Sequence, residues 1–307
     1  MRASSAYPQV SNRNYVKFVA IAVGVCFLFA FFADRPPVDG DGDEPRLPGG
    51  DFGGLRGGDD GAGASPSESG SAKLSDLLAV GLGLTEEASQ AIRDVKASGG
   101  EDLQVKGLTK EGVEEPVTVA DHNSNNVFVN GYRNHFPGIH MLSEETEPEP
   151  SDAKIENPSL PPALELESDP TLDLSEVLIV VDPLDATREF GLDLLEYVTT
   201  MVCVVYKGEP IAGIINQVFE DDKPPVVGVV PMQEGDTGVL FNRLKTEPVG
   251  DAAHTVTLSM SHAGAAGAVV DKYLEGHKAL PAGGAGYKSL LVLDGKAEAY
   301  IHVTAIK

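Results

Sequence analysis

Cationic residues are scarce in this sequence: 23 lysines and arginines stand against 47 aspartates and glutamates, for a formal net charge of −24. No stripe rich in Lys or Arg occurs, which argues against a nucleic-acid polymer as partner. A small anionic substrate is compatible with that charge, because a bound metal ion reverses the local field. Cysteine is rarer still, with Cys26 in an apolar segment and Cys203 in a strand-like run. No disulfide framework is available, so packing must supply the stability. The seven histidines are scattered without metal-ligand spacing, and no nucleophilic Ser or Cys motif occurs. No N-x-[ST] sequon with an allowed middle residue is present, so glycosylation gives no hint of compartment. What is abundant is apolar sequence: 307 residues at 42% hydrophobic content suffice for one large or two modest domains.

Taken in order, residues 1–15 read as a polar cytosolic tail carrying Arg2 and Arg13. Residues 16–33 run apolar apart from Lys17, a helix of about 27 Å, close to the core thickness of an early secretory membrane. A cleaved signal peptide is the alternative, but Phe31-Phe32-Ala33 is a poor small-x-small cleavage site. The expectation is an uncleaved signal anchor, type II, with the body in the lumen. Residues 34–72, rich in Gly, Asp, Pro and Ser, read as a disordered stalk. Order is expected from Lys73, with helical spacing of Leu74, Leu77, Leu78, Leu82, Ala88, Ile92 and Val95, weakened by Gly81 and Gly83.

Ser175 to Phe190 is the most informative stretch. Val177-Leu178-Ile179-Val180-Val181 has the composition of a strand buried on both faces. Pro183 removes a ladder donor, which predicts that the strand ends at Asp182. Asp185 follows three residues later, and Ala186-Thr187 opens a short helix. Two carboxylates in one turn repel unless a cation lies between them, and hard divalent cations prefer such oxygen cages. The N–H groups of Ala186 and Thr187 could receive an anion beside those cations. Metal plus oxyanion in one turn points to phosphoryl chemistry. Asp-Pro turns and Asp or Thr caps are common structural features, but D-P-x-D-x-T directly after a buried strand is far more restrictive.

VDPLDAT resembles the D-P-[IL]-D-[GA]-T signature of the lithium-sensitive, magnesium-dependent inositol monophosphatase superfamily. Residues 196–219 and 280–307 are similar to the Golgi-resident branch that cleaves 3′-phosphoadenosine 5′-phosphate. Glu115 to Asp121 resembles the family's V-T-x-A-D block, which implies that Asp121 helps activate water; spacing alone equally admits Asp121 as a helix cap. Ser143-Glu144-Glu145 resembles a G-E-E block with Ser in place of Gly, which implies Glu144 as a metal ligand. By resemblance, Glu144, Asp182, Asp185 and the Leu184 carbonyl would hold two or more Mg²⁺, and Thr187 would orient the water. Ala186, Ser261, Gly284, Gly286 and Lys288 would face the substrate, Lys288 near its phosphate. Residue 260 is Met where relatives carry Arg.

The resemblance implies an α/β (α+β) fold, a layered αβαβα sandwich preceded by one transmembrane helix. Its parts would be a metal-binding domain over 73–245, with a solvated acidic loop at 146–175, and a C-terminal α/β domain over 246–307. Relatives continue past the position of Lys307 with W-D, whose Asp completes the metal site, and this sequence has no tryptophan. The second domain is therefore expected to be truncated and the third Asp ligand missing. The implied activity is Mg²⁺-dependent hydrolysis of a small phosphorylated substrate, 3′-phosphoadenosine 5′-phosphate or an inositol monophosphate. An inactive, membrane-tethered binding module is the non-enzymatic alternative. The resemblance also allows a homodimer.

Overall fold

The computed structural model describes residues 70–99, 104–108, 114–164, 166, 168–230, 232, 239–241, 254–260 and 263–302. The expected tail, membrane anchor and nearly all of the stalk lie outside them, as does Ser261. Among the described residues, no helix is long and apolar enough to cross a membrane.

The chain enters as β1 (Ser71–Lys73) and α1 (Leu74–Ser98), then β2 (Gln104–Leu108), β3 (Glu114–Val117), α2 (Val119–His135) and β4 (His140–Ser143). There follow β5 (Thr171–Asp173), β6 (Val177–Asp185), the short α3 (Thr187–Gly191), β7 (Thr199–Tyr206), β8 (Glu209–Gln217), β9 (Val226–Val229) and β10 (Val239–Phe241). Last come β11 (Thr255–Ser259), α4 (Ala263–Tyr273), β12 (Lys278–Ala282), α5 (Ala285–Leu293) and β13 (Ala299–Tyr300).

The main sheet has six strands in the order β10-β9-β8-β7-β6-β4, with only the β4–β6 pair parallel. Alternation along β6 and β7 explains their unbroken apolar runs. Val177, Ile179, Val181, Val202 and Val204 pack against Leu74, Leu77, Leu78 and Leu84 of α1 and Phe128 and Tyr132 of α2. Val180, Met201, Cys203 and Val205 face the other way, against Leu290 and Leu293 of α5. Both faces are thus covered, as the composition requires. The turn Lys207-Gly208 has positive φ at both residues (54° and 84°), the geometry that matches strand twist in a two-residue hairpin.

Beyond α5 lies a second, parallel sheet in the order β12-β11-β13. Leu291 and Val292 of α5 pack with Ala282, and Val256 and Leu258 of β11 turn their other face to Ala266 and Val270 of α4. The layers are helix, sheet, helix, sheet, helix.

Ordered structure starts before Lys73, because Ser71–Lys73 pairs antiparallel with Thr171–Asp173. Residues 146–164 are mostly exposed, as a solvated loop would be, but they are strapped to α2. Asn125, Asn130 and Asn134 of α2 donate to the carbonyls of Thr146, Glu149, Ser151 and Ala153. Leu164 is buried in the main core, and Ile155 packs where Gly83 leaves room for it. Gly83, like Gly81 against Tyr132, is therefore a close-approach site rather than a sign of a weak helix. Acidic composition hid this strap, because its hold comes from its backbone carbonyls.

Candidate active site

Asp121 is buried in the first turn of α2, three residues beyond Thr118, so it is not itself the N-cap. Its Oδ2 accepts from Thr118 N–H and Thr118 Oγ1, each at 2.7 Å, closing a capping box in which Thr118 is the N-cap. Its Oδ1 accepts from Thr187 Oγ1 at 2.9 Å. Burial pushes the Asp121 carboxyl above its ordinary pKa; the bonds from Thr118 and Thr187 oppose the rise, and nearby Glu145 adds to it. Thr187 Oγ1 also lies 3.2 Å from the Leu184 carbonyl oxygen. A hydroxyl has one proton, so it serves one of these acceptors at a time and keeps lone pairs for a further donor.

β6 does not stop at Asp182. Pairing passes from Asp182–Met201 to Asp185–Thr199, so Pro183 and Leu184 together oppose one residue. This bulge suits proline, which has no N–H to place in the ladder. Ala186 then takes φ 73°, a left-handed turn that opens α3. With five residues, α3 contributes little macrodipole, so the N–H groups of Ala186 and Thr187 are a weaker anion receptor than expected.

The register of β4 on β6 sets Ser143 beside Val181, and Glu144 N–H donates to the Val181 carbonyl at 3.2 Å. Glu144, exposed, follows the last residue of β4 and so stands level with Asp182, which is buried at the start of the β6 bulge.

Asp185 makes three bonds within the fold. Oδ1 accepts Ala285 N–H at 3.0 Å, and Oδ2 accepts Gly286 N–H at 2.8 Å and Thr199 Oγ1 at 2.9 Å. The acidic turn is thereby fastened to the N-terminus of α5, where helix donors are unsatisfied. The glycines make this approach feasible: a Cβ on Gly284 would lie 2.6 Å from Asp185 Oδ2, and one on Gly286 would overlap Thr199 Oγ1. Lys288 does not face outward. It is buried, its ammonium donates to the Ala282 and Gly284 carbonyls, and Tyr300's ring lies 5.2 Å away. Burial lowers its pKa, with Asp185 and Glu189 opposing. Lys288 braces the glycine turn from inside, a role that a G-x-G-Y-K pattern read as a substrate loop conceals.

The donor chemistry fits a hard divalent cation at Glu144, Asp182 and the Leu184 carbonyl. Asp185 has little capacity left, since a carboxylate accepts about four bonds and three are taken. Among the described residues, no group of three or more His, Cys, Asp or Glu side chains could hold an ion on its own. Magnesium is commonly held by one or two carboxylates plus substrate phosphate, so such a cage is not required. The sequence pattern missed Thr118, Asn125 and Thr199. Thr118 and Asn125 carried a legible signal, Thr118 falling at the capping position three residues before Asp121 and Asn125 one helical turn after it.

Residues 73–307 match the sequence model of the inositol monophosphatase family. Inositol monophosphatase 3 of Xenopus laevis is 33% identical over 245 residues, covering 76% of this chain and 67% of the relative. The Golgi-resident adenosine 3′,5′-bisphosphate 3′-phosphatase of Mus musculus is 30% identical over 311 residues, covering 97% and 81%. In fold, the chain is similar to the extragenic suppressor protein suhB of Bartonella henselae, with a TM-score of 0.52 at 16% identity, covering 73% of this chain and 76% of that one. Mixed α/β layers with acidic oxygens at strand ends, taken with these relatives, place the protein among the phosphoric monoester hydrolases. The chain belongs to the inositol monophosphatase family.

Proposed function

We propose that this chain is a Mg²⁺-dependent phosphomonoesterase that hydrolyses 3′-phosphoadenosine 5′-phosphate to AMP and phosphate. The observation that carries the reading is the Asp121–Thr187–Leu184 carbonyl chain of contacts, 2.9 and 3.2 Å long, beside Asp182. Glu144, Asp182 and the Leu184 carbonyl would hold the metal, which when bound acidifies a water and neutralises phosphoryl charge. Thr187 Oγ1 accepts the water's proton as its own passes to Asp121 Oδ1, a carboxylate whose raised pKa suits a base. The oxygen attacks phosphorus in line, the bond to the ribose 3′-oxygen breaks, and that oxygen takes a proton from solvent.

The substrate assignment rests on the relative named as a bisphosphate 3′-phosphatase, which aligns with 97% of this chain. Inositol monophosphates are the second reading, favoured by the 33% identity to inositol monophosphatase 3. The apolar segment 16–33 and the relative's Golgi residence support a type II anchor with a lumenal body. Phosphate release by the full chain from both substrates, with and without Mg²⁺, tests the proposal. The expected result is Mg²⁺-dependent release, faster from the nucleotide. No release from either in excess Mg²⁺ would overturn it.

A further inference from the structure

Asn125 is wholly buried on α2, one turn beyond Asp121. Its amide spans both ends of the acidic turn that follows β4. Nδ2 donates to the Thr146 carbonyl at 2.7 Å, and Oδ1 accepts from Ser143 Oγ at 2.7 Å. Ser143 Oγ in turn accepts Glu145 N–H at 3.3 Å. Glu144 and Glu145 are thus the two residues held between the jaws of one buried side chain. Glu145 lies close enough to Asp121 to raise its pKa, so the turn and the first turn of α2 belong to one electrostatic neighbourhood.

We propose that Asn125, acting through Ser143, is a positioning residue for the cation site: by fixing both ends of the turn it holds Glu144 level with Asp182. The proposal rests on the reading of Glu144 and Asp182 as metal ligands. Asn125 touches neither metal nor substrate. A hydroxyl at 143 is needed for half of the clamp, which gives the serine in this block a purpose that glycine could not serve. Groups that orient a metal ligand typically change metal affinity by about 10- to 100-fold when removed.

The test is direct calorimetric titration of the full chain with Mg²⁺, with melting curves recorded alongside. Asn125→Ala should raise the Mg²⁺ Kd by about 10- to 100-fold. Ser143→Ala, which leaves the helix untouched, should raise it in the same direction by less. Asn130→Ala is the control: it removes an equivalent bond, from Asn130 Nδ2 to the Glu149 carbonyl at 2.9 Å, further along the strap. It should lower the melting temperature yet leave the Kd unchanged. If Asn125→Ala, or Ser143→Ala should the first variant not fold, melts earlier but binds Mg²⁺ as tightly as the unaltered chain, Asn125 is only structural and the proposal falls. If the unaltered chain binds no Mg²⁺, the reading of Glu144 and Asp182 falls first and takes the clamp with it.

Discussion

Replacing Gly284 with alanine should loosen the second sheet from the first and empty the site of its shape. Gly284 has φ 59° and ψ 144°, a region almost closed to residues with a Cβ. Strain of that kind costs about 1–3 kcal/mol. The added carbon would lie 2.6 Å from Asp185 Oδ2 and 2.9 Å from the Tyr197 carbonyl oxygen, where ordinary contact begins at 3.4 Å. Backbone on one side and a bonded carboxylate on the other leave no flexible neighbour to yield. Overpacking of this severity costs about 1–3 kcal/mol. A retreat of the turn large enough to relieve it would stretch the 3.0 Å bond from Ala285 N–H to Asp185 past hydrogen-bonding range, losing about 1.5 kcal/mol more. The sum, about 3.5–7.5 kcal/mol, corresponds to a fall in melting temperature of about 7–30 °C for a domain of this size. Gly267→Ala is the matched comparison: it lies inside α4 with nothing within 4 Å of the new carbon, so it should gain about 0.5–1 kcal/mol. Thermal unfolding of the two variants decides the matter. If Gly284→Ala melts within about 2 °C of the unaltered chain, the close approach of α5 to the acidic turn is not what holds the layers together.

Ala186→Gly should stabilise the chain by about 0.5–1 kcal/mol, read by denaturant titration, because Ala186 occupies the left-handed region at φ 73°. Thr187→Ala should lower kcat by about 10²- to 10⁴-fold with little change in melting temperature, and an unchanged kcat would remove Thr187 from the proton path. His135 gives a pH dependence. Its Nε2 accepts Ile155 N–H at 3.0 Å, and burial lowers its pKa, with Lys154 adding to the fall and Glu156 opposing. Because the folded pKa lies below the ordinary 6.5, the unfolded chain binds the proton more readily. The contribution is present above that ordinary value and is lost as pH falls through the folded one. Unfolding at pH 7.5 and 5.5 should show this loss, and His135→Gln should reduce it; an equal loss in both would clear His135.

Strand composition made the centre of the fold legible. The run at 177–181 read as a strand covered on both sides, and it lies inside β6 with helices against both its faces. The motifs did mark positions that the fold brings near one another: Asp121 meets Thr187, and Glu144 stands level with Asp182. The site was obscured where backbone groups do the holding. Pro183 looked like a terminus because a bulge leaves no trace in hydropathy. The attachment of the strap at 146–164 was hidden because its carbonyls, which Asn130 and Asn134 grip, are common to every sequence. Lys288 was set near the substrate phosphate by resemblance, whereas in the fold it is buried with its ammonium on the Ala282 and Gly284 carbonyls.

The fastening of Asp185 to Gly286 joins residues 101 positions apart. A ribosome adding about 5–20 residues per second delivers the second of them roughly 5–20 s after the first. Throughout that interval Val180, Met201 and Cys203 have no Leu290 or Leu293 to cover them. The nascent sheet thus emerges with one greasy side bare, and synthesis in the cell has a window in which a chaperone, or another unfinished chain, can reach it before α5 does.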